Sequence, residues 1–332
     1  MIKYTGFEYL LIDAANKFGL DKELFETRIQ WAQENLQDLE TFMPDADEPI
    51  PYIKAVQTIR DAQKGIPTGH LVGLDACASG VSILSVLTGC KVGAANTGLI
   101  DPNVRADLYT TTTEVMERKL GGSINLDRKQ VKDAQMPWFY GSELRPKELF
   151  GEDTEELQAF YEANFEVAPG ACIARDILIG AWQPFALFHA WDLPDRYHVH
   201  IPVMQHIDAK VEVDELWHST FTHRFKENIG KESYLSLAAN VTHSVDGLVV
   251  REMNRRCNYD KNQLVAVLDI INEKLQNTHF PPKLDTTQFI SLNMIDLPTK
   301  ELLALDSNTL TRLYLLVKQV LENPSFEMIT VH

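Results

Sequence analysis

The sequence predicts an α+β protein that is mostly helical and contains a small antiparallel sheet. Most of the chain spaces its apolar residues three and four positions apart, as on one face of a helix. Alternation of apolar and polar residues, the strand pattern, is confined to HVHIPV at 198–203 and AKVEV at 209–213. We therefore expect one short β-hairpin between residues 196 and 213, with helices on either side.

The chain opens with two expected helices. The first covers residues 2 to 18 and stops near Gly19, and Asp21 can cap the second. A linker rich in proline and acidic residues then leads to a helix over 52–64. That helix ends at Gly65, a residue type favoured just after a helix.

The segment HLVGLD, residues 70–75, predicts a buried strand that ends in a carboxylate. Small residues follow, and a helix is expected to begin near Ser79. A strand that delivers Asp75 at its end, before small residues, is a recurrent way to present a metal ligand. A turn or helix-cap role for Asp75 is the alternative.

The middle of the chain predicts a helix that begins at Asp101 and Pro102 and reaches about Lys119. Further helices are expected over 154–166 and 170–191. Five histidines lie between 198 and 223, but their spacing matches no zinc pattern. We interpret them as hairpin and loop residues.

The last third of the chain predicts two amphipathic helices, at about 260–276 and 299–322. The sequence then ends with FEMITVH, which suggests an apolar strand.

Composition limits the class of protein. The 332 residues carry a net charge of −16, which argues against a nucleic-acid-binding protein by the usual charge rule. Two basic clusters qualify this: Arg251 with Arg255 and Arg256, and a second around Arg128. No apolar run approaches the roughly 20 residues of a membrane span. Four scattered cysteines indicate reduced thiols and no zinc site.

The most informative stretch is LDRKQVKDAQMPWFYGS, residues 126–142. Positions four apart share a helix face, so Arg128, Lys132, Met136 and Tyr140 should line one side of a helix of about four turns. Two cations, a thioether and a phenol suit the wall of a nucleoside triphosphate site better than a core. A solvated face is the alternative. Pro137 predicts a kink in this helix.

The spacing R-x3-K-x7-Y-G, which ends at Gly141, resembles the second signature motif of the right-hand polymerases. These include the single-subunit RNA polymerases of phages and mitochondria and the related family-A-like DNA polymerases. LDACASG at 74–80 resembles their first motif. The resemblance implies that Asp75, with the backbone carbonyl of Ala76, binds two catalytic Mg²⁺ ions.

Two further segments resemble the RNA polymerases of this group. The opening region shares A-A-N, then G-x-D-K, then a helix with R-I. The string H-S-x-D-G, placed at the start of a helix, falls on His243, Ser244, Asp246 and Gly247.

Three positions favour ribonucleotides as substrates. Gly80 stands where the DNA polymerases usually have a glutamate that crowds a 2′-hydroxyl. Met136 and His243 also agree with the RNA branch, and histidine can exchange a hydrogen bond with a 2′-hydroxyl. The alternatives are a fragment of a related DNA polymerase and a non-catalytic subunit that binds nucleic acid.

The resemblance implies right-hand polymerase fingers and a partial palm with a small palm sheet. We expect a helical lead-in at 1–67, a palm segment at 68–100, fingers at 101–237, and a palm return with a helical insertion, 258–322, at 238–332. His332 would directly precede a second catalytic aspartate.

The implied activity is DNA-templated RNA synthesis from ribonucleoside triphosphates in a host cytoplasm. Arg128 and Lys132 would bind the triphosphate, with Lys132 as general acid, and Tyr140 with His243 would check the 2′-hydroxyl. The expected partners are a DNA template, the RNA product and a second polymerase subunit.

Overall fold

The structure, a computed structural model, describes residues 4–73, 78–101, 103–122, 125–232, 236–276 and 283–325. These are mostly helical and include two small antiparallel sheets, which confirms the predicted class. The helices of the described ranges are α1 Gly6–Ala15, α2 Phe25–Glu34, α3 Pro49–Gln63, α4 Ser79–Leu87, α5 Lys91–Asn96, α6 Leu108–Lys119, α7 Arg128–Phe139, α8 Leu144–Phe150, α9 Glu155–Val167, α10 Pro169–Gly180, α11 Ser236–Cys257, α12 Lys261–Gln276, α13 Thr299–Leu302 and α14 Ser307–Leu321. The strands are β1 Phe188–Asp192, β2 His198–Pro202, β3 Gln205–Val213 and β4 Ser219–Glu227. Within the same ranges, no helix is long and apolar enough to cross a membrane.

The chain divides into two compact units. One consists of Met1–Met136 with Pro146–Cys172, and the other of Pro137–Arg145 with Ile173–His332.

The first three helices form one core. Leu11, Ile12 and Tyr52 are fully buried there. The Tyr52 hydroxyl donates to the carbonyl of Leu39 at 2.8 Å, and burial raises the pKa of this phenol to about 12. Its polar group is therefore satisfied and neutral inside an apolar cluster.

Gly19 ends the first helical segment, as predicted. A π-helical turn, Asn16–Leu20, follows α1, and Gly19 within it has a φ of 122°. A Cβ at this position would lie 2.7 Å from Oδ2 of Asp47. Both the backbone conformation and the available space therefore require glycine.

Two predicted helix starts have different outcomes. Thr154 caps α9 by accepting from the N–H of Leu157 at 3.2 Å, and α9 begins where predicted. The helix predicted to begin at Asp101 instead begins at Leu108, and Asp107 caps it. Asp101 caps only a local turn, by accepting from the N–H of Asn103 at 2.9 Å.

The predicted helix over 170–191 is wrong in its second half. Helix α10 ends at Gly180, and residues 188–192 form β1. Strand β1 pairs with β2 around a turn in which the Arg196 N–H donates to the Leu193 carbonyl at 2.8 Å. Arg196 has a φ of 62°, a left-handed conformation that this tight connection needs.

The sheet region contains two hairpins, whereas the sequence predicted one. HVHIPV and AKVEV both contribute strands, but they do not pair with each other. Strand β2 pairs with β1 in the register Phe188↔Pro202, and β3 pairs with β4 in the register Gln205↔Glu227. Each strand takes the nearest antiparallel neighbour along the chain, the common outcome for sequential strands.

The strand predicted over residues 70–75 does not form in its described part. Residues 70–73 have no regular secondary structure, and Leu71 is 62% exposed. Polar contacts from His70 and Gly73 to Asp13 replace a strand partner. Helix α4 nevertheless begins at Ser79, as predicted.

Helix α11 begins at Ser236, seven positions before His243, so H-S-x-D-G lies inside a helix and does not open it. The segment after α11 has its own core, which contains Leu264, Ile271, Leu313 and Val317. The helix predicted over 299–322 is two helices, α13 and α14, with Asp306 capping the second. The predicted final strand, 326–332, lies outside the described residues.

Candidate functional site

Helix α7 presents the two cations of the sequence motif to one aromatic ring. The guanidinium carbon of Arg128 lies 5.4 Å from the ring centroid of Tyr109, and Nζ of Lys132 lies 5.6 Å from the same centroid. Both distances are within the range of a cation–π contact. The spacing of four residues thus places both cations over Tyr109, whose role sequence reasoning missed.

Asp107 holds Arg128 and caps α6 at the same time. Its Oδ2 accepts from Nη2 of Arg128 at 2.6 Å and from Nε at 3.0 Å. Its Oδ1 accepts from the N–H groups of Tyr109 and Thr110. Burial acts to raise the pKa of Asp107, but the bonds from Arg128 and Thr110 outweigh it and lower that pKa below its ordinary value. Asp107 is therefore ionised at neutral pH.

Met136 and Pro137 lie near the end of α7. The Met136 side chain is 44% exposed. The helix continues through Pro137 to Phe139, so Tyr140 lies just beyond the helix and not on its face. Gly141 has a φ of 103°, and its N–H donates to the carbonyl of Trp138 at 2.9 Å. The predicted helix face, which included Tyr140, is therefore one residue too long.

Tyr140 forms a second group with residues of α11. The ring centroids of Tyr140 and His243 lie 4.9 Å apart with a tilt of 58°. Burial raises the pKa of Tyr140, and the negative charge of Asp246 raises it further. Tyr140 is thus a neutral phenol that can donate a hydrogen bond at physiological pH.

Ser244 joins α11 to the first hairpin. Its Oγ accepts from Nε1 of Trp191 at 3.1 Å and donates to the carbonyl of Val241 at 2.7 Å. Gly247, the last residue of H-S-x-D-G, leaves room for Arg251, since a Cβ there would lie 3.3 Å from its Nη1. Ser244 and Gly247 therefore have structural roles beside His243.

Gly80 lies in the first turn of α4, where it is buried. Asp75 and Ala76, the predicted metal ligands, lie outside the described residues. A carboxylate and a backbone carbonyl are hard oxygen donors of the kind that Mg²⁺ takes. Their chemistry therefore fits the predicted ion.

A buried aspartate that the sequence did not suggest lies beside the first motif. Asp13 is fully buried on α1. Its carboxylate accepts from the Gly73 N–H at 3.2 Å, lies 2.7 Å from Nε2 of His70 and forms an ion pair with Lys17. These contacts hold the segment that runs into residues 74–77. Because 57 positions separate Asp13 from His70, no local pattern could have revealed the pair.

The string shared with RNA polymerases near the amino terminus forms one hydrogen-bond network. Arg28 is 5% exposed, and its guanidinium donates to the side chain of Asn16 at 2.6 Å. It also donates to the carbonyls of Asp21 and Glu23. The A-A-N, G-x-D-K and R-I residues therefore determine how α2 joins α1.

The basic cluster on α11 is neutralised within the protein. Arg251 and Arg255 both donate to Asp195, whose side chain is completely buried, at distances from 2.8 to 3.1 Å. Arg256 donates to Glu252 at 2.8 Å. Burial acts to raise the pKa of Asp195, but the two guanidiniums outweigh it and lower that pKa. Asp195 and Glu252 therefore compensate the charge of this cluster, while Arg251 and Arg255 keep 28% and Arg256 keeps 38% of the side chain exposed.

The histidines of the hairpins are largely surface residues. His198 contacts Asp192 at 2.8 Å, and both side chains are more than half exposed. Within the described ranges, one group brings possible metal ligands together, with ligand atoms within 4.8 Å of one another: Glu212, Asp214 and His218. All three are exposed at the end of the second hairpin, where His218 already pairs with both carboxylates.

Two comparisons bear on this arrangement. Residues 2–145 match a family model described as DNA-dependent RNA polymerase. A DNA-directed RNA polymerase from Pseudomonas phage phiKMV is 26% identical to this chain over 132 residues. The predicted resemblance to phage-type RNA polymerases is thereby confirmed.

The match to phage-type RNA polymerases covers part of each protein. It includes 35% of this chain and 16% of the phage phiKMV relative. The family match contains Asp75, Gly80 and the motif of α7, whereas His243 lies beyond it. The family is described as a DNA-dependent RNA polymerase and the relative as a DNA-directed RNA polymerase.

Proposed function

We propose that this chain is a catalytic part of a phage-type RNA polymerase that makes RNA on a DNA template. The observation that carries the proposal is that residues 2–145 match the RNA polymerase family and contain the α7 motif, whose Arg128 and Lys132 lie over Tyr109. In this proposal the chain works in the host cytoplasm with a second polymerase subunit, a DNA template and ribonucleoside triphosphates.

Arg128 and Lys132 bind the triphosphate in this proposal. The Arg128–Asp107 pair is partly exposed, with 38% and 24% of the two side chains accessible. A phosphate can therefore take the place of Asp107 without a large rearrangement, and a guanidinium suits the fork of a phosphate better than an ammonium does. The triphosphate would then lie along the face of α7 whose two cations contact the Tyr109 ring.

Lys132 acts as the general acid. The 3′-hydroxyl oxygen of the RNA attacks the α-phosphate and loses its proton to solvent water, while the bond from the α-phosphate to the bridging oxygen breaks. Lys132 gives its proton to the pyrophosphate oxygen that leaves. Lys132 lies over the Tyr109 ring, and among the described residues no carboxylate forms an ion pair with it that would compete for that proton.

Asp75 and the carbonyl of Ala76 would hold two Mg²⁺ ions. These ions, when bound, lower the pKa of the 3′-hydroxyl and stabilise the leaving pyrophosphate. Asp13 supports this segment, because its carboxylate accepts from the Gly73 N–H two residues earlier in the chain.

Tyr140 and His243 would distinguish ribose from deoxyribose in the bound nucleotide. The neutral phenol of Tyr140 can donate to a 2′-hydroxyl, and the imidazole of His243 lies against the phenol ring. Gly80 contributes no side chain to exclude a ribose. This assigns selectivity for ribonucleotides to hydrogen bonding and not to bulk.

The deciding experiment is Asp75→Ala in the polymerase that contains this chain. RNA elongation on a primed DNA template should be abolished, while template binding, measured by fluorescence anisotropy, is retained. Asp101→Ala removes an exposed carboxylate that only caps a turn and is the matched control. An Asp75→Ala enzyme that keeps more than a few per cent of the normal rate contradicts the role given to Asp75.

A further inference from the structure

A cavity of about 350 Å³ lies in the second of the two compact units, and none of its lining residues belongs to the polymerase motifs. It is lined by Arg256 of α11, Arg312 and Leu316 of α14, and the segment 286–290 between them. Its volume falls within the lower range of small-ligand sites, about 300 to 1,000 Å³. A lone phosphate ion would leave most of it unfilled.

Arg312 gives the cavity an unsatisfied donor. Its Nη1 is buried, and it has no hydrogen-bond partner among the residues that the structure describes. A buried guanidinium nitrogen without an acceptor is unfavourable, because the donor has lost water and gained nothing. Arg312 lines the cavity, so a small rotation of its side chain would turn this nitrogen toward an oxygen of an anionic ligand there.

Arg256 supplies a second guanidinium that the protein holds in place. Its Nε donates to Glu252 at 2.8 Å, and its Nη2 lies 3.5 Å from the carbonyl of Ile290. Glu252 also accepts from the Ser291 hydroxyl and from the N–H of Leu292. The Ser291 hydroxyl and the Leu292 N–H hold the Glu252 carboxylate outside the cavity lining. Glu252 in turn fixes the orientation of Arg256.

Besides Glu252, which pairs with Arg256, a second carboxylate acts on the positive charge of the cavity. Asp285 accepts from the hydroxyl of Thr287 at 2.6 Å and from its N–H at 2.9 Å. These bonds lower the pKa of Asp285, and the charge of Arg312 lowers it further. Asp285 is thus engaged mainly by Thr287, and it acts on Arg312 through its charge.

The remaining walls suit a flat or apolar group. Phe289 is 40% exposed, and Leu316 contributes an aliphatic surface, while Thr286 offers a hydroxyl. Aromatic faces are the usual stacking partners of nucleobases, and guanidiniums are the usual partners of phosphates. The cavity therefore combines a place for a phosphate with a place for a base.

We propose that this cavity binds a free mononucleotide, with its phosphate on Arg312 and Arg256 and its base against Phe289. This site is separate from the proposed substrate site on α7 and does not depend on polymerase activity.

The test is ADP binding to the purified full chain by isothermal titration calorimetry. Arg312→Gln should weaken binding by about 10- to 100-fold, the effect of losing a charged hydrogen bond. Lys318→Gln removes a cation of the same helix that lies over Tyr314 outside the cavity, and it should leave binding unchanged. Lys132→Met weakens the binding of ADP at the proposed substrate site, so the binding that remains in this variant belongs to the cavity.

Thr286→Trp is the second variant, because it fills the cavity from an exposed loop and leaves Arg312 in place. In the Lys132→Met background it should abolish ADP binding without lowering the melting temperature, so it decides the matter if Arg312→Gln fails to fold. The proposal is overturned if ADP does not bind the wild type, if Thr286→Trp in the Lys132→Met background still binds it, or if Lys132→Met abolishes binding. It is also overturned if a single-stranded DNA oligonucleotide binds here and ADP does not.

Discussion

Helices α7 and α11 each carry a group of basic residues, and the carboxylates that these residues meet differ in burial. On α7, Arg128 pairs with Asp107, which is 24% exposed. On α11, Arg251 and Arg255 share Asp195, which is completely buried. A buried carboxylate needs its cations, whereas a partly exposed pair is held weakly and can give way to a ligand. The burial of the carboxylate that pairs with a basic residue therefore distinguishes a structural cluster from a binding surface.

The largest expected effect is on α7. Lys132→Met should slow RNA synthesis in single-turnover assays by about 10²- to 10⁴-fold, because the leaving pyrophosphate loses its proton donor. Thermal stability should change little. Lys129→Met removes an exposed cation from the same helix and is the control. If both variants slow the reaction equally, the effect belongs to the general charge of α7 and not to Lys132.

Breaking the α11 cluster should lower stability. Asp195→Asn should reduce the free energy of unfolding by about 3 kcal/mol, the low end for a broken buried ion pair, because Arg251 and Arg255 remain 28% exposed. Chemical denaturation of the full chain measures this. Asp192→Asn, at an exposed carboxylate on β1, should cost less than about 0.5 kcal/mol. Equal losses for both variants would remove the distinction between the two helices.

The same variant predicts a pH dependence. The pKa of Asp195 is lowered below its ordinary value of 3.8, so its contribution to stability is complete above 3.8. That contribution is lost as the pH falls through the lowered, folded-state pKa, because the unfolded chain binds the proton more readily. The difference in unfolding free energy between wild type and Asp195→Asn should therefore shrink in acid. A difference that grows in acid contradicts the assigned ion pair.

A smaller effect concerns the sugar. Tyr140→Phe removes the hydroxyl that a deoxynucleotide would leave without a partner, at about 1–3 kcal/mol. The preference for ribonucleotides should fall by about 5- to 150-fold, mainly because deoxynucleotide use rises. The measurement is kcat/KM for both sugars on one template. An unchanged ratio removes Tyr140 from the selectivity mechanism, and a wild-type preference for deoxynucleotides argues against RNA synthesis.

The smallest effect tests the two functions of Asp107. Asp107→Asn keeps an N-cap for α6 but loses the charge that Arg128 meets, and should cost less than about 1 kcal/mol of unfolding free energy. Asp107→Ala loses the cap as well and should cost about 1 kcal/mol more. Denaturation of the two variants side by side gives the difference. If the two cost the same, the cap contributes nothing.

Local signals in the sequence predicted local structure well. Thr154 and Gly65 mark the start of α9 and the end of α3 because caps depend on one or two residues. Asp101 misled because Asp107, six positions later, has the same capping chemistry directly before the helix that forms. The sequence contained both signals, and Leu108, which is 2% exposed, begins that helix.

Contacts between residues that lie far apart along the chain could not be predicted from the sequence. The charge of α11 looked like a basic patch because Asp195 lies 56 positions before Arg251. The prediction of a single hairpin was wrong for a related reason. An alternating pattern predicts a strand but does not show which strand it pairs with. The α7 motif was found because its spacing is local, and the roles of Asp75 and Ala76 remain predictions.

His243 lies inside α11 and not at its start. The rotation of the whole helix about its axis therefore determines where the imidazole of His243 points. Ser244 ties α11 to the first hairpin through Trp191, so the helix cannot turn freely about its axis. Each residue of a helix advances the side chains by about 100°. Inserting one residue between His243 and Ser244 would therefore swing the imidazole about a quarter turn away from Tyr140 while every motif residue remained present. The angular phase of α11, which the adjacency of His243 and Ser244 sets, is what keeps these two rings together.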